Sequence, residues 1–253
     1  MRPPLSLFLT EPGRALLDYG ALLATAPAVF AAPRGDGHPV VVIPGLLADD
    51  TSTSTMRLYL RGLGYNAHGW GLGRNLGPTP ATQSGMRGLL TELHDVGRVK
   101  VSLVGWSLGG IFARELARRY PRLVRQVITL GSPFRLADPR DSRANGTYER
   151  LNRIHLRPEA LPSREDLGRP IPVPSTAIYS KFDGIVPWQA CIDAPGPGHE
   201  NVAVYGSHLG FGHNPAVLWV IADRLAQREG AWRPFRPPAW AGRLFPARVA
   251  AAA

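Results

Sequence analysis

The segment Val101-Ser102-Leu103-Val104-Gly105-Trp106-Ser107-Leu108-Gly109-Gly110 constrains this chain more than any other. A β-branched apolar run leads into Gly-x-Ser-x-Gly, and a helix-like stretch from Ile111 to Tyr120 follows at once. A strand that turns into a helix over so few residues needs glycine on both flanks of the bend, where a Cβ has no room. The serine at the apex, Ser107, is strained so that its Oγ rises above the edge of the sheet. Gly-x-Ser-x-Gly alone is common in loops. The strand before it and the helix after it make it specific.

The rest of the chain repeats that strand-then-helix rhythm. Pro39 to Ile43 reads as a buried strand closed by Pro44-Gly45, and Thr53 to Gly62 as a short helix stopped by Gly62 and Gly64. Tyr65 to His68 predicts a strand, Ala81 to His94 a helix, Val99 to Val104 a strand, Ser107 to Tyr120 a helix and Leu123 to Leu130 a strand. Alternation resumes with strands at Ser175 to Ser180 and Glu200 to Tyr205, and ends in a helix from Asn214 to Gln227. Such alternation predicts an α/β fold with a mostly parallel sheet and helices on both faces. Strands covered on both sides should be continuously apolar, as Val40-Val41-Val42-Ile43 is.

Three segments stand outside the rhythm. Residues 1–35 predict an amphipathic helical segment packed on the domain; Glu11 and Asp18 sit where a secretion signal would carry positive charge. Residues 134–174, rich in Arg, Asp and Pro, are too polar to own a core and predict a small cap over the sheet's C-terminal edge. Residues 231–253 mix Trp, Pro and Arg and predict a loosely packed tail. At 253 residues with 44% hydrophobic content, one domain accommodates all of it.

Charge and cysteine narrow the function classes. The net charge of +10 rests on 29 basic residues, of which only Lys100 and Lys181 are lysine. The arginines are scattered with no dense block and no nucleic-acid motif, so no nucleic-acid partner is expected. A basic surface does suit peripheral contact with acidic lipids. Cys191 is alone, which rules out an internal disulfide, and no histidine or cysteine pair has metal-ligand spacing. No apolar run reaches the ~18–20 residues of a membrane span, and a cytoplasmic protein is the expectation.

A serine hydroxyl is a poor nucleophile until a base takes its proton and a third group orients that base. Two later strands end in suitable residues. Ser180-Lys181-Phe182-Asp183-Gly184 places Asp183 just past one strand, and Gly206-Ser207-His208-Leu209-Gly210 places His208 just past the next. Their rivals fit less well. His213 stands beside Asn214, which reads as a helix cap, and Asp193 lies away from a strand end. His38, His68, His94, His155 and His199 read as surface or structural residues.

With these motifs the chain resembles the α/β-hydrolase superfamily, and most of all its bacterial lipases and carboxylesterases. Ile43-Pro44-Gly45-Leu46-Leu47, Gly105-Trp106-Ser107-Leu108-Gly109, Leu130-Gly131-Ser132-Pro133 and the Asp183 and His208 segments carry the resemblance, across residues 39 to 215. It implies nucleophile Ser107, acid Asp183 and base His208, with an oxyanion hole from the backbone N–H groups of Leu46 and Leu108. It also implies a small-molecule or lipid ester as substrate and no cofactor. Lipases usually carry His-Gly where this chain has Pro44-Gly45, and neither the cap nor the loop Gly69-Trp70-Gly71-Leu72-Gly73 has an assigned counterpart. Thioesterases, acyltransferases and polyester hydrolases use the same three groups. A non-catalytic binding module of this fold would break the triad, and no member is missing here. Leu47, Trp70, Trp106 and Trp188 are candidates for the substrate pocket, with plain core packing an equal reading of the tryptophans.

Overall fold

The computed structural model describes residues 1–155 and 164–246. Six strands form one parallel sheet in the order β2-β1-β3-β4-β5-β6. They are β1 (Pro39–Ile43), β2 (Asn66–His68), β3 (Val101–Trp106), β4 (Val124–Leu130), β5 (Ser175–Tyr179) and β6 (His199–Ala203). The helices are α1 (Leu5–Leu9), α2 (Glu11–Phe30), α3 (Ser54–Gly62), α4 (Pro80–Gly97), α5 (Leu108–Arg119), α6 (Asn145–His155), α7 (Arg164–Gly168) and α8 (Pro215–Leu225).

Alternate residues of each strand serve opposite cores, as a pleated strand requires. Val40, Val42, Val104 and Trp106 join a cluster capped by Leu22 and Val29 of α2, Met56 and Leu60 of α3, and the apolar length of α8. Val41, Ile43, Val101 and Leu103 face the other way, onto Met86 and Leu90 of α4 and Phe112 and Leu116 of α5. The chain leaves β1 toward one edge of the sheet and leaves β3 toward the other. The loops after β1 and β3 therefore diverge, and a crevice opens at their C-terminal ends.

Two expectations need correction. The tail is packed as far as it is described: Phe235, Ala241 and Phe245 are buried in the first core, and residues 247–253 lie outside the described part. Two aromatic rings suffice to anchor a segment whose overall composition is polar. Helix α2 is amphipathic only in part: Leu22 and Val29 enter the first core, but a charge is buried as well. Its Glu11 is 1% exposed, while Leu16, Leu17 and Leu23 are 70%, 72% and 63% exposed. The reason lies in what the carboxylates bind, described below.

Within 134–174, α6 and α7 are helical, and residues 156–163 lie outside the described part. Arg114 and Arg118 of α5 donate to the carbonyls of Arg169 and of Leu167 and Arg169, which ties α7 to the domain. Among the described residues no helix is long and apolar enough to cross a membrane.

Candidate active site

Ser107 ends β3 with φ 53° and ψ −118°, a conformation that non-glycine residues rarely hold and that costs about 1–3 kcal/mol. The flanking glycines make it affordable. A Cβ on Gly105 would fall 2.4 Å from the Gly109 carbonyl oxygen, and one on Gly109 would fall 2.3 Å from the Ile43 carbonyl oxygen. The first turn of α5 thus rests directly on the ends of β1 and β3. Leu108, its first residue, has no helical acceptor within reach of its N–H.

The loop after β1 meets the serine from the other side of the crevice. A Cβ on Gly45 would stand 3.3 Å from Ser107 Cβ. Leu47 follows with φ 64°, and its N–H donates to the Asn75 carbonyl at 2.7 Å. The N–H groups of Leu46 and Leu108 donate no hydrogen bond among the described residues. Asn75 is fully buried and clamps this loop: Nδ2 donates to Pro44 O at 2.8 Å, and its own N–H donates to Ala48 O at 2.8 Å. The glycine-rich loop therefore has a structural task that its composition hides. Asp50 holds its start by accepting from the N–H groups of Trp70 and Gly71 at 2.9 and 3.0 Å.

Asp183 and His208 stand past β5 and β6, both buried, with His208 Nδ1 2.6 Å from Asp183 Oδ2. The other carboxylate oxygen accepts the N–H groups of Ile185 and Val186 at 2.8 and 2.7 Å. A carboxylate so engaged only accepts, so Nδ1 carries the hydrogen and Nε2 presents a lone pair. Burial alone pulls the imidazole pKa down. The charge and hydrogen bond of Asp183, together with Glu11, outweigh it and hold the pKa above the ordinary histidine value. Burial and the Asp183 charge also push the neighbouring Cys191 thiol well up.

Gly131, at φ 54° after β4, links the serine to this pair. The Ser107 N–H donates to Leu130 O at 2.8 Å, and a Cβ on Gly131 would lie 3.1 Å from both Asp183 Oδ2 and His208 Nδ1. Trp106 adds a second link by donating its indole N–H to His208 O at 3.1 Å. Ser107 Oγ makes no hydrogen bond to His208 in this structure. Both rivals are engaged elsewhere: Asp193 with Arg114, Ser175 and His199, and His213 with Ala15 O at 2.9 Å.

No family model matches the chain. Over 127 residues it is 29% identical to a triacylglycerol lipase of Burkholderia plantarii, an alignment that covers 46% of this chain and only 36% of that lipase. Among solved structures, Aspergillus fumigatus lipase B matches 77% of this chain and 54% of its own, with a TM-score of 0.54 and 17% identity. The naproxen esterase of Bacillus subtilis matches 78% and 86% (TM-score 0.51, 14% identity). The alpha/beta hydrolase domain-containing protein 10 from mouse matches 75% and 88% (TM-score 0.52, 18% identity).

The chain has the α/β-hydrolase fold.

Placed in that hydrolase fold, the four pocket candidates separate. Leu47 is exposed beside the crevice. Trp70 is buried in the second core, where it lines a small apolar cavity with Met86 and Leu90. Trp106 is a buried strut under His208. Trp188 is half-buried, stacked on Tyr179 at 5.7 Å with the Lys181 ammonium over its ring. Asn75 and Glu11 escaped the sequence reading, and Gly131 enters it only as part of the Leu130-Gly131-Ser132-Pro133 motif, without a role. Gly131 alone carried a signal, as a glycine directly after a buried strand.

Proposed function

We propose that this α/β-hydrolase cleaves carboxylic esters, with Ser107 as nucleophile, His208 as general base and Asp183 as the group that orients it. The observation that carries this reading is the buried 2.6 Å contact between His208 Nδ1 and Asp183 Oδ2 at the same sheet edge as a strained serine. Lipases and esterases among the structural neighbours support the substrate class.

In the first half-reaction Ser107 Oγ attacks the acyl carbon while His208 Nε2 takes its proton. The Asp183 carboxylate stabilises the imidazolium that forms. The amides of Leu46 and Leu108 receive the developing oxyanion; losing one such donor typically costs about 10²–10³ in rate. The imidazolium then protonates the leaving alkoxide. Water, deprotonated by the same nitrogen, attacks the acyl carbon; the Oγ–acyl bond breaks, the imidazolium returns its proton to Ser107 Oγ, and the acid leaves. The divergence of the loops after β1 and β3 gives the acyl group its place.

Ser107→Ala is the test, assayed on a p-nitrophenyl ester series of increasing chain length. Turnover should fall by about 10⁶, because triad members act as a unit, with an unchanged circular dichroism spectrum. Turnover equal to that of the native chain would refute the nucleophile. The chain-length dependence of the native protein then separates an esterase from a lipase.

A further inference from the structure

Helix α2 touches the loops after β5 and β6 with three consecutive positions of one face. Glu11 Oε1 accepts the N–H groups of Gly184 at 2.7 Å and His208 at 3.2 Å, and Oε2 accepts that of Leu209 at 3.0 Å. One turn on, Ala15 O accepts from His213 Nε2. One turn further, Asp18 accepts from the Ser207 N–H and hydroxyl at 3.1 and 2.7 Å and from Asn214 Nδ2 at 2.7 Å. Residues spaced this way lie along one helix face. Helix α1, just before α2, packs on the loop after β5: a Cβ on Gly184 would fall 2.5 Å from the Leu7 backbone.

Glu11 differs from an ordinary helix carboxylate in being buried and in bridging two loops. Its amide partners sit immediately after Asp183 and at and after His208. Arg14 neutralises it from the same helix at 2.8 Å and also donates to Phe182 O at 2.7 Å, on the acid-bearing loop. A buried carboxylate is tolerated only when its acceptor capacity is filled by donors. Here the donors are the backbone of the two loops themselves. That explains why α2 buries Glu11 while Leu16, Leu17 and Leu23 stay exposed.

We propose that Glu11 is a positioning residue: its carboxylate ties the Asp183 loop to the His208 loop and fixes the separation and charge state of that pair. This rests on the reading of Asp183 and His208 as acid and base. The charged and titratable groups around His208 are Asp183 from the β5 loop, Glu11, Arg14 and Asp18 from α2, His213 on its own loop, and Cys191 beside Asp183. The Glu11 charge is among the influences that favour the protonated imidazole.

The test is Glu11→Gln, with His208 ring titration followed by NMR alongside turnover of a p-nitrophenyl ester. The His208 titration should move to lower pH in the variant, since a favouring negative charge is gone. The kcat should fall about tenfold to a hundredfold with little change in KM, as expected for misplaced catalytic groups. Glu11→Asp keeps the charge but not the reach, so it should lose turnover while largely keeping the titration. Native titration and native kcat in Glu11→Gln would overturn the proposal. If that variant does not fold, hydrogen exchange in the native protein decides: the Gly184, His208 and Leu209 amides should be protected together, and free exchange at all three overturns it. The NMR titration needs no turnover. A shifted titration together with an active Ser107→Ala chain would leave Glu11's role at His208 standing and remove the ester-hydrolase reading.

Discussion

Two serine–histidine–aspartate arrays share one strand of this molecule, at opposite ends. At the start of β3, Ser102 Oγ lies 2.8 Å from His38 Nε2, and His38 Nδ1 contacts Asp36, which Arg125 also holds at 2.9 Å. At its end stands Ser107, roughly 17 Å along at ~3.3 Å per residue, near the His208–Asp183 pair. Judged by hydrogen bonds alone, the first array is the more complete. Its surroundings argue the opposite. Ser102 is 0% exposed on β3, beside a register shift at Val101/Ser102, so no acyl carbon reaches it. Ser107 is partly exposed and strained at the end of β3, and the N–H groups of Leu46 and Leu108, the proposed oxyanion donors, make no hydrogen bond among the described residues. What separates a proposed catalytic triad from a structural one is therefore access and the oxyanion donors, not the identity of three side chains.

Electrostatics separates them as well. Burial dominates at His38 and leaves its pKa below 6.5, despite Asp36. At His208 burial acts in the same direction, but Asp183 and Glu11 together reverse it, and the pKa stands above 6.5. His38 resists charging. His208 welcomes it, which suits its proposed role as a base that carries a proton between half-reactions.

The largest expected contrast comes from disabling the orienting carboxylate in each array. Asp183→Asn should lower kcat by about 10⁴, because an amide oriented to donate favours the wrong imidazole tautomer. Asp36→Asn and Ser102→Ala should leave kcat and KM unchanged and lower only the melting temperature. Steady-state kinetics on one p-nitrophenyl ester checks all three variants. Loss of turnover in Ser102→Ala would mean that the buried array serves the chemistry and that the contrast drawn here is mistaken.

Much of this was legible in the sequence, for physical reasons. A parallel sheet needs apolar strands at regular intervals, and the four central strands supply them, whereas the edge strands β2 (Asn66–His68) and β6 (His199–Ala203) are short or polar. Asp183 and His208 could be placed because the residue after a strand end lies at the sheet's rim. Asp193 could be set aside because it lies away from a strand end, and His213 because it stands beside the helix cap Asn214. Glu11 and Asp18 read only as charges on a helix, since their partners are loop amides some 170 to 200 positions later, which no periodicity marks. Asn75 was hidden in the same way, inside a run of glycines. Trp70 and Trp106 were ambiguous because a tryptophan near a site fits core and pocket equally. The tail was misjudged because burial of Phe235 and Phe245 outweighs a polar average.

A subtler contrast lies in pH. The proposed base must be neutral to accept a proton, so kcat/KM should fall on the acid side with its midpoint above 6.5. Stability carries the opposite signature from the other array. Below 6.5 the unfolded chain binds a proton at residue 38 that the folded chain refuses, so the folded state loses stability as pH falls through that window. His38→Gln should flatten that part of the melting-temperature curve and leave the kinetic midpoint where it was. A midpoint that moves with residue 38 would show the two histidines to be coupled.

The smallest effect expected is at the ring that supports each histidine. Trp106 holds the His208 carbonyl through its indole N–H, and its body packs where Gly212 leaves room. Tyr65 meets His38 edge-on at 5.3 Å and has its hydroxyl directed at Ala222 O. Replacing either by phenylalanine deletes one hydrogen bond, worth about 1 kcal/mol; at Trp106 it also removes one ring of the indole and opens a small cavity. In Trp106→Phe that loss loosens the loop holding the base, so kcat should drop by up to about tenfold, the rate equivalent of 1.36 kcal/mol. In Tyr65→Phe the same loss should appear in thermal stability alone. If both variants keep native kcat, the His208 loop is held by helix α2 without help from β3, and the weight of positioning shifts to Glu11 and Asp18.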